Sequence, residues 1–507
     1  MSAQQSSPQQ ETPQTLQEWQ ALAAGLEIEG RAFINGEYVD ALSGDTRPTT
    51  NPADGRELAQ IASCGPEDAE LAVKVARETF ESGVWSNMPP MERKKVMVRF
   101  AELIEQNKVE IALLESLDAG KPISDTMNVD VPGAVTTIRW TGEAIDKVYD
   151  EVAPTGPNEL ALVQRMPLGV VAAIVPWNFP LSTTAWKLGP ALATGNSVIL
   201  KPASNTPLTA IKLAGLAKEA GLPDGVLNVL PGPGSSLGKA LGLHMDIDCL
   251  TFTGSTEVGK TLTEYAGQSN LKRTFLELGG KSPNIVFADA DLAKAAEAAA
   301  LAVFYNQGET CTAGTRLLVE KGIAAEFIEK VKKATERFVP GHPQDPSTVM
   351  GALIDQSQFD TVEFYVAKGL EQGAQLVCGG APADAVAGGH YYEPTIFRGV
   401  TGEMTIAREE IFGPVLSVIE FDSEEDALRI ANDSIYGLAA GIWTKDINRA
   451  HRMARNVRAG SVWVNNYFGG DITVPFGGFK QSGNGRDKSL HALDKYCELK
   501  STWIDLS

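Results

Sequence analysis

GVVAAIVPWNFPLSTTAWKLGPALATGNSVILK, from Gly169 to Lys201, holds two apolar runs of strand length on either side of a helical pattern. GVVAAIV, ending at Val175, is short and rich in β-branched residues, so it reads as a buried strand. PWNFP breaks the chain, Thr183 to Ala193 carries helical spacing, Gly195 and Asn196 turn it, and SVIL leads a second strand to Lys201. A strand, a helical crossover and a strand in so few residues predict a parallel pair.

The pattern continues toward the C-terminus. Thr206 is read as the cap of a helix that opens at Pro207 and stops at Gly221 and Pro223. VLNVL, to Leu230, is a third strand; CLTFT, from Cys249, is a fourth and runs into GSTEVG and a further helix. This series predicts an α/β fold on a doubly wound parallel sheet, whose ligands gather at the carboxyl ends of the strands. Asn178, Lys201 and Gly254 fall at such ends. After Glu277 and the loop GGKSPN a second series begins. It has a helix over about Asp291 to Phe304, then RLLVE as a strand, EEDALRIAND helical, LAAGIW a strand, INRAHRMARNV helical and GSVWVN a strand. A second α/β domain follows from it. ELALVQRM around Leu160 and the tail from Tyr496 read as strands of neither sheet, and exposed β segments of that kind are candidate oligomer edges.

Composition narrows the function classes. With 507 residues the chain exceeds one ordinary core, and with 43% hydrophobic and 21% charged residues it has the balance of a soluble globular protein. No run approaches the roughly 18 apolar residues of a membrane span. Lys and Arg number 44 against 64 Asp and Glu, a net charge of -20, which argues against nucleic acid and anionic membranes as partners. MSAQQSSPQQETPQTLQ lacks a basic start and an apolar core, so it is read as a disordered lead-in rather than a targeting signal. The cysteines, Cys64, Cys249, Cys311, Cys378 and Cys497, form no CxxC and no Cys/His cluster. A reducing cytoplasm without structural zinc is expected, and no metal site.

Cys311 stands apart in NQGETCTAG, between two threonines and among polar and glycine neighbours. A thiol kept for packing sits among apolar residues, so this one asks for a chemical role. The segments VPWNFPLSTTAWKLGPALATGNSVILKPAS, FTGSTEVGK, LELGGKSPNIV, NQGETCTAGTRLLVE, EEIFGPV and PFGGFKQSGNGRD, in that order, resemble the aldehyde dehydrogenase superfamily over nearly everything after residue 28. The ending GGDITVPFGGFKQSGNGRDKSLHALDKY resembles the bacterial γ-glutamyl-γ-aminobutyraldehyde and 4-guanidinobutyraldehyde dehydrogenases of putrescine and arginine breakdown.

The resemblance implies Cys311 as thiolate nucleophile, Glu277 as the base that activates water against a thioester, and Asn178 with the Cys311 backbone N–H as oxyanion donors. Lys187 and Asp487 match a lysine and an acidic position, usually glutamate, linked to proton movement. An NAD or NADP cofactor is implied, with Trp177, Lys201, Ser204, Gly254, Ser255, Gly259, Leu278, Glu410 and Phe412 around it. GSTEVG fits the Rossmann fingerprint only loosely, with glycines at Gly254 and Gly259. Ser204 stands where many NAD-preferring relatives carry glutamate, so NADP is expected to be well accepted. Trp177, Phe179, Tyr467, Phe468 and Phe476 would line a substrate tunnel, with Asp130 and Asp471 favouring a cationic or amide-bearing tail.

The implied domain plan is residues 1–27 as lead-in, 28–147 and 167–279 binding NAD(P), 280–485 catalytic, and 148–166 with 486–507 as oligomerisation strands of a cytoplasmic homodimer or homotetramer. The implied reaction is oxidation of an ω-amino, guanidino or γ-glutamylamino aldehyde to its acid. Alternatives are 3-hydroxypropionaldehyde, betaine aldehyde or succinate semialdehyde as substrate, transfer of the acyl group to coenzyme A, and a non-catalytic structural protein on the same fold. Glu277 argues against coenzyme A, and Cys311 with Glu277 against a structural role.

Overall fold

Burial on both faces explains why the opening strands are continuous apolar runs. All five residues of Val170–Ile174 and of Ser197–Lys201 are buried in the computed structural model, which describes residues 12–507. The two strands pair in parallel across the Pro180–Ala193 helix, which starts three residues earlier than its spacing suggested because Pro180 supplies a helix-compatible first turn.

The first sheet has seven strands. Arg273–Glu277, Cys249–Thr253, Val170–Ile174, Ser197–Lys201 and Leu227–Val229 are parallel neighbours in that order, and Ala32–Ile34 and Glu37–Val39 extend the edge antiparallel. Chain order reverses between Val170–Ile174 and Cys249–Thr253, so the crevice of this sheet opens above Pro176 and Gly254. The second sheet orders Gln375–Cys378, Thr395–Arg398, Val415–Phe421, Arg316–Glu320, Pro283–Val286, Ala439–Trp443 and Ser461–Val464, with only the first antiparallel to its neighbour. The Cys311 segment enters Arg316–Glu320 at its amino end. The second sheet therefore meets the site with the amino ends of its strands, and the first with its carboxyl ends.

The two outlying strands form a sheet of their own. Cys497–Asp505 pairs antiparallel with Glu159–Pro167, which pairs with Glu151–Ala153. Trp503 is 65% exposed on it and Leu499 66%.

Two expectations need correction. Residues 1–11 lie outside the described residues, but the rest of the expected lead-in is ordered: Leu16–Ala24 is a helix. Thr15 and Glu18 close a capping box at its start, and Trp19, 1% exposed, docks it onto the core. Thr206 caps nothing. Its hydroxyl is buried without a protein partner, and the Leu208–Glu219 helix is capped from far away, by the Asp118 carboxylate accepting from the Leu208 N–H at 2.9 Å. Thr49 donates to the other Asp118 oxygen at 2.7 Å.

Candidate active site

The helix Leu292–Phe304 ends in a turn whose backbone L-residues rarely adopt. Asn306 and Gln307 have φ of 50° and 57°, and a Cβ on Gly308 would lie 2.2 Å from the Gly413 carbonyl. Side chains hold this turn. Gln307 accepts from the Gly351 N–H at 2.9 Å, and Glu309 from the Ile354 N–H at 3.0 Å. The Asn306 amide donates to the carbonyls of Asn178, at 3.2 Å, and Glu309, at 3.1 Å. Asn178 in turn donates to the Glu309 carbonyl at 2.8 Å. The PWNFP loop of the first sheet is thereby laced to the segment that presents Cys311.

Cys311 and Asn178 open onto one cavity of about 1040 Å3. Burial, with Glu410 and Glu277 adding to it, pushes the Cys311 thiol up to about 12, while the N–H groups of Thr312 and of Cys311 itself act the other way. Burial thus favours the thiol, whose addition to a carbonyl needs a proton acceptor. Asn178 has one amide hydrogen engaged with Glu309 and a second left for an oxyanion.

Glu277 ends the Arg273–Glu277 strand and lines the same cavity. It is 2% exposed, and neither carboxylate oxygen has a protein hydrogen-bond partner. Glycines make room for it, since a Cβ on Gly477 would stand 2.8 Å from its Oε1 and one on Gly485 3.1 Å. Burial, reinforced by Asp487, pushes this carboxyl well above the usual range, and Lys187, Lys495 and Arg486 pull it back. An unpaired, desolvated carboxyl sharing a cavity with a thiol is the arrangement a general base requires.

Behind Glu277 lies a buried charge cluster. Lys187 Nζ is 2.7 Å from Asp487 Oδ2, and Lys495 binds Oδ1; the three side chains are 0%, 1% and 4% exposed. Lys187 and Asp487 are therefore interior groups and not surface charges. Lys495 was not singled out in the sequence, where DKYC looks like any exposed turn.

At the other end of the cavity Gly254 and Ser255 join the Cys249–Thr253 strand to the Thr256–Gln268 helix, with Ser255 as its N-cap. This places helical N–H groups and the positive end of the helix at the cavity wall, which suits a pyrophosphate. Trp177 and Phe412 meet edge to face, centroids 5.1 Å apart, over the same space. Glu410 accepts from the Gly280 N–H at 2.9 Å, and burial raises its carboxyl to about 7. A Cβ on Gly279 would fall 2.0 Å from its Oε2, so only glycine lets that carboxylate approach. Gln358, also missed in the sequence, fixes the loop by donating to the carbonyls of Ile411, at 3.0 Å, and Phe412, at 2.8 Å. These groups fit a dinucleotide.

Other expected residues sit outside the cavity wall. Gly259 serves packing: a Cβ there would lie 2.6 Å from the Leu278 side chain, and it is Leu278 that lines the cavity. Lys201, 3% exposed, donates to the Pro202 carbonyl at 3.1 Å, and burial together with Arg47 lowers its amine to about 8. Ser204 donates to the Gly232 carbonyl at 3.1 Å.

In the substrate region Phe179, Phe468 and Phe476 line the wall, together with Tyr305 and Trp186, which sequence reasoning passed over. Tyr467 stands behind them, donating to the Thr312 carbonyl at 2.8 Å and so supporting the Cys311 segment. Asp130 lines the cavity but is paired, with Lys121 Nζ at 2.6 Å and the Ser182 hydroxyl donating at 3.1 Å. Its charge is already balanced. Asp471 is exposed, beside the lining residues Gly469 and Gly470, and accepts from the Thr473 N–H at 2.8 Å.

A thiol, a free amide hydrogen, an unpaired carboxyl and a helix N-terminus share one cavity wall, and residues 38–502 match the aldehyde dehydrogenase family. This chain belongs to the aldehyde dehydrogenase family. The NADP/NAD-dependent aldehyde dehydrogenase PuuC of Escherichia coli is 56% identical over 489 residues, covering 96% of this chain and 98% of its own. The gamma-glutamyl-gamma-aminobutyraldehyde dehydrogenase of Burkholderia cenocepacia, a solved structure, is 57% identical with a TM-score of 0.96, covering 97% of this chain and 100% of that one. The P. syringae AldA indole-3-acetaldehyde dehydrogenase, solved with NAD+ and IAA, is 60% identical with a TM-score of 0.97 and the same coverage of 97% and 100%. Among the described residues of this aldehyde dehydrogenase there is no group of His, Cys, Asp and Glu able to hold a metal, and no helix long and apolar enough to cross a membrane.

Proposed function

We propose that this enzyme oxidises an ω-amino, guanidino or γ-glutamylamino aldehyde to its carboxylic acid with NAD or NADP, taking up one water and releasing one proton. The observation that carries the reaction is the unpaired, buried Glu277 carboxyl in one cavity with Cys311. The Cys311 sulfur adds to the aldehyde carbon while its proton passes to a base, and Asn178 donates to the oxygen that becomes negative. Bound NAD(P) supplies the hydride acceptor, held by Ser255, Glu410, Trp177 and Phe412. Glu277 then takes a proton from water as that water attacks the thioester carbon; the C–S bond breaks and Cys311 leaves with the electron pair. A retained water-activating carboxyl favours hydrolysis over transfer to coenzyme A.

The tail class rests on the likeness to the Burkholderia enzyme and on an amphipathic tunnel, with aromatic walls, the Asp130–Ser182 pair inside and the Asp471 carboxylate near the mouth. Those aromatic walls and the likeness to AldA favour a second reading, a flat aromatic aldehyde. A panel of ω-amino, guanidino, γ-glutamylamino, betaine, 3-hydroxypropion- and indole-3-acetaldehydes with succinate semialdehyde, ranked by kcat/KM, separates the two. The amino and amide substrates are expected to lead; indole-3-acetaldehyde leading would select the second reading, and any other order would reject both.

Ser204 bears on cofactor choice. A glutamate there would accept from the adenosine-ribose hydroxyls and repel a 2′-phosphate, whereas this serine does neither, and Lys201, three residues before it, is a cation that attracts such a phosphate. NADP is expected to match or exceed NAD in kcat/KM, and Ser204→Glu to shift the ratio toward NAD by roughly five- to 150-fold, the effect of on the order of 1 to 3 kcal/mol. Kinetics with both dinucleotides at saturating aldehyde check this; an unchanged ratio contradicts it.

The enzyme is further proposed to be cytoplasmic and to assemble through the sheet of Glu151–Ala153, Glu159–Pro167 and Cys497–Asp505 into a homodimer or homotetramer. Its exposed Trp503 and Leu499 and its open edges support this.

A further inference from the structure

Lys495 lies in the turn between the His491–Asp494 helix and the Cys497–Asp505 strand, and its side chain points inward. It is buried and binds the Asp487 oxygen that Lys187 leaves free. A buried carboxylate needs one cation for charge balance, and here it has two. The surplus has a counterpart on the same cavity wall, where Asp487 is joined by the unpaired Glu277 carboxyl, whose Oε1 lies against Gly477 and Gly485 beside the Phe476–Asp487 bridge. With Glu277 ionised, the cluster holds two cations and two anions and is neutral. With Glu277 protonated it holds a net positive charge in a desolvated interior. Without Lys495 the balance reverses: Lys187 and Asp487 cancel each other, and an ionised Glu277 is left with Arg486, whose guanidinium is turned to two backbone carbonyls.

We propose that Lys495 is a positioning residue that, by sharing Asp487 with Lys187, favours the ionised form of Glu277, the form able to accept the proton of the hydrolytic water. The other groups facing this cluster do not take over that task. Arg486 donates to the carbonyls of Gly478, at 3.0 Å, and Gly485, at 2.6 Å, and stacks over Phe479. Lys488 is half-buried over Trp186. Lys495 Nζ stands 5.1 Å from the centroid of the neighbouring Tyr496 ring, and burial pushes the Tyr496 hydroxyl and the Cys249 thiol up, so neither offers a charge.

The inference rests on Glu277 as hydrolytic base, and the test keeps the two apart. Acyl-enzyme, formed with aldehyde and NADP and quenched at intervals, is followed by intact mass across pH in the full-length protein. In Lys495→Met the acidic limb of acyl-enzyme decay is expected to rise by about one to two pH units, slowing decay by up to about ten- to 100-fold on the acidic side of the limb, while the burst of reduced cofactor persists. Lys495→Arg keeps the limb in place. The double variant Asp487→Asn/Lys495→Met restores neutrality with Lys187 and Glu277 alone, so its limb returns to the wild-type position whatever its plateau. This double variant leaves no orphaned charge and carries the test if Lys495→Met does not fold. A Lys495→Met limb superposing on wild type with only the melting temperature lowered, or a double variant displaced upward, overturns the proposal. If acyl-enzyme in Glu277→Gln decays at the wild-type rate, it is the assignment of the base that fails.

Discussion

Cys311→Ala is expected to abolish aldehyde oxidation, lowering it by about four orders of magnitude or more, while dinucleotide binding followed by fluorescence quenching stays nearly as in wild type. The size of the effect follows from chemistry. Hydride does not leave an aldehyde readily, and the tetrahedral adduct that releases it exists only if a nucleophile has added; removing such a group from a concerted site costs about as much as removing the whole constellation. Binding is expected to survive because the wall proposed to hold the dinucleotide is built from Gly254, Ser255, Glu410, Trp177 and Phe412, all of which the variant keeps. Turnover within tenfold of wild type would show that another group is the nucleophile.

Glu277→Gln separates the two halves of the reaction. The glutamine is close to isosteric in the space left by Gly477 and Gly485, but it does not accept the proton of water. Hydride release is expected to continue as one burst per active site, followed by a steady state roughly 10²- to 10⁴-fold slower, the range for loss of a positioned base. Stopped-flow absorbance of the reduced cofactor reads both phases. Equal loss of burst and steady state would mean that Glu277 serves the first half as well, as acceptor of the Cys311 proton.

The parts legible in the sequence share one physical cause, a local pattern. Val170–Ile174 and Ser197–Lys201 are apolar throughout because both faces are covered, and the cluster of Asn178, Gly254 and Glu277 at strand ends follows from the parallel order. Three-residue edge strands such as Ala32–Ile34 and Glu37–Val39 carry too little pattern to be read. The capping box of Thr15 and Glu18 was visible, yet the Gln-rich composition around it argued for disorder. Asp118 as cap of a helix ninety residues away, and Lys495 as second partner of Asp487, exist only through long-range packing. The placement of Cys311 at the amino end of a strand is of the same kind, since it follows from the junction of two sheets rather than from either.

The account turns on a thioester at Cys311, and this is open to direct weighing. Glu277→Gln mixed with aldehyde and NADP, quenched in acid after the burst and digested, is expected to give the peptide containing Asn306 to Arg316 heavier by the mass of the aldehyde less two hydrogens, with fragmentation placing the increment on Cys311. An unmodified Cys311 after a full burst of reduced cofactor, or the increment on another of the five cysteines, would contradict it.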